Sequence, residues 1–216
     1  LSNSLSILLI SAASIGFVHT ALGPDHYLPF IVMARTNKWS TGKTLLITIL
    51  CGLGHVGSSI ILGTLGLVFG FALNKLKIFE SVRGNIAAWA LIIFGAVYLA
   101  WGIYKAIVNK PHKHLDTSKD GKKKLTPWVL FIIFVLGPCE PLIPLLMFPA
   151  AEANTLHVVL VSIIFSLVTI TTMTAIVLAS FFGLRFVKFG KLERYTHALG
   201  GAVILLSGLA IVALGL

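Results

Sequence analysis

The stretch Leu22-Gly23-Pro24-Asp25-His26-Tyr27-Leu28 decides how this chain is read. It sits inside an apolar run that extends over residues 5–34. Proline removes a backbone donor, its ring clashes with the preceding turn, and it pushes the residue before it out of the α region. A helix entering the stretch therefore breaks at Gly23-Pro24, and an acid and an imidazole follow the break at once. A second stretch, Leu136-Gly137-Pro138-Cys139-Glu140-Pro141-Leu142, repeats the pattern 114 residues later. Both leucines, the glycine and the first proline coincide, and Met33 falls on Met147 at the same offset.

The surroundings of the two stretches define the class. Of 216 residues, 57% are hydrophobic and 11% charged, with a mean hydropathy of +0.97. Ordinary globular domains run at about 45–50% apolar and about 25% charged. A soluble domain, a disordered chain and a disulfide scaffold are excluded. A spanning helix needs about 20 apolar residues, and the apolar runs predict six spans, over 5–34, 44–73, 86–108, 127–149, 156–184 and 198–216. None alternates with period two, which argues against a membrane β-barrel. The segment 1–22 lacks a basic leader and reads as a span rather than a signal peptide.

Charge orients the spans. Arg35, Lys38, Lys43, Lys105, Lys110, Lys113, Lys119, Lys122, Lys123, Lys124, Arg185, Lys188, Lys191 and Arg194 fall on one side, 14 in all, against Lys75, Lys77 and Arg83 on the other. The positive-inside rule places the 14 in the cytoplasm, in loops 35–43, 105–126 and 185–197, with both termini outside. The net charge of +10 is then a topological signal in a cell (inner or plasma) membrane, and nucleic acid is not an expected partner. The run around Lys122-Lys123-Lys124, with His112 and His114, reads as a solvated loop facing lipid headgroups.

Three spans on each side of that loop give an all-α polytopic membrane protein. A first repeat covers 1–108, a basic cytoplasmic loop 109–126 and a second repeat 127–216. An odd number of spans per repeat forces the copies to cross in opposite senses. Two inverted three-helix repeats, each with a Gly-Pro-broken first helix, are a plan common among secondary transporters. A break inside a span is tolerated where it faces protein or a wet cavity.

The candidate site follows from depth. Of the acids, Glu80, Asp116, Asp120, Glu152 and Glu193 are expected in loops, whereas Asp25 and Glu140 fall inside spans, each just past a Gly-Pro break. A charge at mid-bilayer costs about 2.5–3.5 kcal/mol and marks function by default. His19, His26 and His55 are also expected inside the membrane, and Cys139 lies between Pro138 and Glu140. At the repeat offset His55 falls on Thr169, in the polar run Thr169-Ile170-Thr171-Thr172. Asp25, His26, His55, Cys139 and Glu140, with His19, Thr169 and Thr172 as weaker members, mix imidazole, carboxylate and thiolate. Such donors suit a first-row divalent metal ion. Cys51 reads as a small core hydrophobe.

His19-Thr20-Ala21-Leu22-Gly23-Pro24-Asp25-His26 resembles the His-x4-Asp-His signature of nickel/cobalt transporters and of urease-accessory-type membrane proteins, although five residues separate His19 from Asp25. The second motif, with Pro138, Cys139 and Pro141, resembles that of the thiol–disulfide carriers of cytochrome c biogenesis, which belong with sulfite-exporter-like proteins to the same broad group. The resemblance implies a secondary transporter of nickel or cobalt, not an enzyme. No resident cofactor is expected beyond the transported ion, and the bilayer and a possible second copy are the expected partners. Two alternatives stand beside it. A transmembrane thiol–disulfide electron carrier would use Cys51 and Cys139 with a thioredoxin-like partner. A small sulfur-anion exporter would call for a cation inside the membrane.

Overall fold

The computed structural model describes residues 3–70, 73–108, 120–151, 154–183 and 194–214. Every regular element among them is helical. The first long helix, α1 (Asn3–Leu22), ends at the Gly-Pro motif; a 3-10 turn over Pro24–His26 follows, and the chain resumes as α2 (Leu28–Thr36). Then come α3 (Thr41–Val68) and α4 (Leu73–Val108). The second half repeats the order: α5 (Asp120–Leu136), a break at Gly137–Pro141, α6 (Leu142–Ala151), α7 (Thr155–Gly183) and α8 (Thr196–Leu214).

Local signals set these bounds. Ser40 caps α3, its hydroxyl accepting the Lys43 N–H at 3.3 Å. Asn154 does the same for α7, accepting the His157 N–H at 3.1 Å. Both satisfy an amide that the first helical turn leaves without a partner, and they occupy equivalent positions at the 114-residue offset. Pro24 and Pro29 sit in the first turns of their elements, where a missing N–H costs nothing.

Two elements differ from the sequence expectation. The third span was expected from residue 86, yet α4 is continuous from Leu73 and 36 residues long. Lys75, Lys77, Glu80 and Arg83 are therefore helical rather than in a loop. Glu80 and Arg83 are three apart, face the same way and pair, which neutralises two of the four charges that suggested a loop. The helix α5 begins at Asp120, so residues 120–126 of the expected basic loop are helical and Pro127 lies inside the helix. The rest of that loop, with Lys110, His112, Lys113, His114, Asp116 and Lys119, lies outside the described residues, as do Glu152, Arg185, Lys188, Lys191 and Glu193.

Five helices, α1, α3, α4, α7 and α8, are long and apolar enough to cross a membrane. Large side chains such as Ile7, Ile10, Val68, Ile93 and Leu167 are 57–74% exposed on their surfaces. Apolar exposure on that scale is compatible with a membrane protein. The pair α4–α8 makes the most extensive contact. It is antiparallel and backbone-close: a Cβ on Gly95, Gly102 or Gly201 would run into the main chain of Leu205, Ala198 or Leu99. Small residues at such a crossing let dispersion forces act where lipid removes the hydrophobic drive. Around it, α1 packs on α7 and α5 on α3, α2 on α8 and α6 on α4, and α3 on α7.

Candidate metal centre

Three imidazoles meet where α1, the first break and α3 converge. His19 comes from the last turn of α1, His26 from the 3-10 turn and His55 from the middle of α3. One ligand nitrogen from each can be chosen so that all lie within 4.8 Å of one another. His26 and His55 are buried, at 2% and 3% exposure. Their Nε2 atoms are 3.2 Å apart. Two imidazole nitrogens bound tetrahedrally to one metal at about 2.0–2.1 Å would be about 3.3 Å apart. The His19 Nε2 is buried and has no protein partner.

The far edges of two rings are held. His26 Nδ1 lies 3.2 Å from the Gly23 carbonyl and 3.2 Å from Asp25 Oδ1, so it carries the proton and donates. In the neutral ring its Nε2 then presents a lone pair toward His55. The His55 ring in turn interacts with the Phe134 carbonyl, in the last turn of α5. A ring whose rear N–H is tied to a carbonyl or carboxylate is the usual arrangement of a metal-ligating histidine. At 3.2 Å the two Nε2 atoms share either a proton, as a hydrogen bond between the rings, or, when neither is protonated, a metal ion.

The motif glycines account for the placement. A Cβ on Gly23 would collide with His26 Nδ1 and come within 2.9 Å of Asp25 Oδ1. A Cβ on Gly137 would stand 3.2 Å from His55 Nδ1. Each Gly-Pro break thus leaves room for one imidazole, and neither glycine has a positive φ that would otherwise explain it. The second break reaches the site through Gly137 and the Phe134 carbonyl.

The remaining sequence candidates sort differently. Asp25 stands behind His26, not beside the Nε2 atoms, and its side chain is 29% exposed. Glu140 is exposed and outside the three-histidine group, because the turn between Pro138 and Pro141 carries it outward. Cys139 is fully buried against Leu142 and Phe165, whereas Cys51 packs in another cluster with Met173 and Val177. Both thiols are free. Thr169 is fully buried on α7 and faces Gly16 of α1; Thr172 is half-buried.

An ion pair that the sequence reading placed outside the membrane forms a second polar centre. Glu80 is 1% exposed and accepts from Arg83 Nη1 at 2.6 Å. Its second oxygen accepts the Cys139 N–H, freed by the break, at 3.1 Å. Arg83 Nη2 donates to Ser58 and to the carbonyls of Val135 and Gly137 at 2.7, 3.1 and 3.0 Å. The pair therefore satisfies donor and acceptors that Pro138 leaves open. The Glu80–Arg83 spacing of three was the available signal, hidden by its resemblance to a polar loop. Arg83 is the kind of cation that an anion exporter would need, yet this guanidinium is committed to protein acceptors.

Comparison with protein-family models, with curated proteins and with solved structures gives no match. The class is thus defined by the chain itself: an all-helical protein compatible with a membrane, with two Gly-Pro-broken helices and a buried three-histidine cluster.

Proposed function

We propose that this chain is a secondary transporter of a divalent transition metal ion, with nickel or cobalt the favoured substrates. The observation that carries the reading is the convergence of three imidazoles with two Nε2 atoms 3.2 Å apart. Nitrogen donors of this kind suit the later first-row divalent ions. His19, His26 and His55 are the ligands in this reading, and Asp25 orients His26 from behind. Cys139 and Glu140 have no part in the first coordination sphere.

The architecture proposed for it is two inverted repeats over six spans, each broken helix with its short continuation forming one span. Support comes from part of the packing: α1 on α7 matches α5 on α3, and α2 on α8 matches α6 on α4, whereas the contact of α4 with α5 has no counterpart of like extent between α8 and α1. The equivalent caps at Ser40 and Asn154 agree. A site between such repeats opens to alternate sides when one rocks against the other. The side carrying Arg35, Lys38 and Lys43 is read as cytoplasmic.

Purified protein titrated with cobalt(II) tests the reading. One ion per chain with a visible spectrum typical of nitrogen ligation is expected. His26→Ala and His55→Ala should each lose it, together with metal flux into proteoliposomes. Unchanged binding and flux in both variants would sink the proposal.

A further inference from the structure

Hydroxyls buried in apolar helices normally donate to the carbonyl one turn back. Thr20, Thr36, Thr44, Ser162, Ser166 and Ser207 all do so here, at 2.6–2.9 Å in five cases and 3.0 Å for Thr44. Thr48, Thr169 and Thr174 do not: their Oγ1 atoms are buried and have no protein partner. Thr48 and Thr169 are wholly inaccessible, at 0% exposure. Leaving such a group unpaired is costly, and the ordinary remedy, rotation onto the preceding carbonyl, is not taken.

The three threonines are not scattered. Residues early in α3 pack with residues late in α7, as Ile47 and Cys51 do with Met173 and Val177, while Val56 packs with Val161 and Phe165. The two helices are therefore antiparallel. A Cβ on Gly52 would lie 3.2 Å from Ile170, so that pair marks the seam. Thr48 is one turn before Gly52 and Thr174 one turn after Ile170, which sets the two hydroxyls opposite each other across it. Thr169 lies where α7 meets α1, its Oγ1 3.3 Å from a Cβ built on Gly16, three residues before His19. From the level of His55, Thr48 is seven residues, or about 10 Å, toward the Thr41 end of α3. The three threonine hydroxyls thus run from the level of the histidine cluster toward the end of the bundle that carries Lys38 and Lys43, while the Ser59 Oγ, likewise buried, lies one turn past His55 in the other direction.

We propose that Thr169, Thr174 and Thr48 line a hydrated path along the α7 seam, taking water and a hydrated divalent cation between the three-histidine cluster and the Thr41 end of α3. Water supplies the missing hydrogen bonds at rest, and the cation exchanges water for hydroxyl oxygen as it passes. The cation part rests on the metal-transport reading; the water part does not.

Two measurements test it. In a Cys51→Ala, Cys139→Ala background, Thr48→Cys and Thr174→Cys are exposed to a small cationic methanethiosulfonate. Both should react in the folded protein, and cobalt(II) should slow the reaction. Leu50→Cys, on the apolar surface at 46% exposure, should not react. Labelling of Thr48→Cys and Thr174→Cys only after denaturation would overturn the path. The second measurement uses Thr48→Val with Thr174→Val. In a dry seam, removing unpaired hydroxyls leaves flux unchanged or stabilises the protein. In a hydrated path, cobalt flux falls about tenfold, the equivalent of one hydrogen bond to a charged group, while cobalt affinity and spectrum at the histidines are retained. Unchanged flux in this variant overturns the cation path. Loss of cobalt binding by the unmutated protein would instead count against the metal reading and leave the labelling result to decide the water path.

Discussion

Replacing Arg83 by methionine leaves the Glu80 carboxylate, 1% exposed, without its cation. Breaking a buried pair by removing one partner costs about 3–5 kcal/mol. Arg83 keeps 19% of its side-chain surface exposed, so water reaches that end of the pair. The lower part of the range is expected, about 3–4 kcal/mol. At about 2–4 °C per kcal/mol for a chain of this size, thermal unfolding in detergent followed by tryptophan fluorescence should move down by roughly 6–16 °C. The double variant Glu80→Gln, Arg83→Met removes both charges and keeps an amide oxygen for the Cys139 N–H. It should lose only about 1–2 kcal/mol, the cost of hydrogen bonds left unmade at the Val135 and Gly137 carbonyls. The double variant should therefore be more stable than Arg83→Met alone. A single variant within about 1 kcal/mol of the parent, with additive behaviour in the pair, would refute a buried pair. It would return both residues to the solvated position that the sequence reading assigned them.

Two predictions bear on the proposed metal centre. Asp25→Asn keeps a hydrogen-bond acceptor behind His26 and removes the charge, so cobalt(II) affinity should fall about 10–100-fold with the ligand spectrum retained; isothermal titration checks it, and an unchanged affinity would remove Asp25 from the site. Gly137→Ala places a methyl 3.2 Å from His55 Nδ1, so it should weaken cobalt binding about tenfold or more while the fold, monitored by circular dichroism, persists. Parental affinity in that variant would show that the second break does not help to position His55.

Much of the first break could be read directly. Gly23-Pro24 within an apolar run has one local consequence, a broken helix, whatever the surroundings, and Asp25 and His26 follow it in sequence. His19 and His55 were named for lying in apolar runs. That their rings meet depends on how α1 and α3 pack, which is a long-range matter. The second break was read as a source of ligands because Glu140 lies inside an apolar run just past Gly137-Pro138, with Cys139 between them. A turn fixes where its backbone goes only together with its neighbours, and the two prolines of Pro138–Pro141 carry Glu140 outward while Glu80 holds the Cys139 amide. Glu80 and Arg83 were misplaced for a related reason: hydropathy averages over a window and sees four charges, whereas in the helix two of the four form a neutral pair.

By itself the sequence determined what is local or additive: an apolar helical chain, the positions of two breaks at equivalent places, and the presence of imidazoles close to them. The tertiary structure alone decided which side chains share a point in space. It brought His55 to His26, set Gly137 and the Phe134 carbonyl behind His55, turned Glu140 away and paired Glu80 with Arg83 against the second break. Backbone breaking is dictated by covalent geometry within a few residues, but the assembly of a site is dictated by helix packing between residues far apart in the chain.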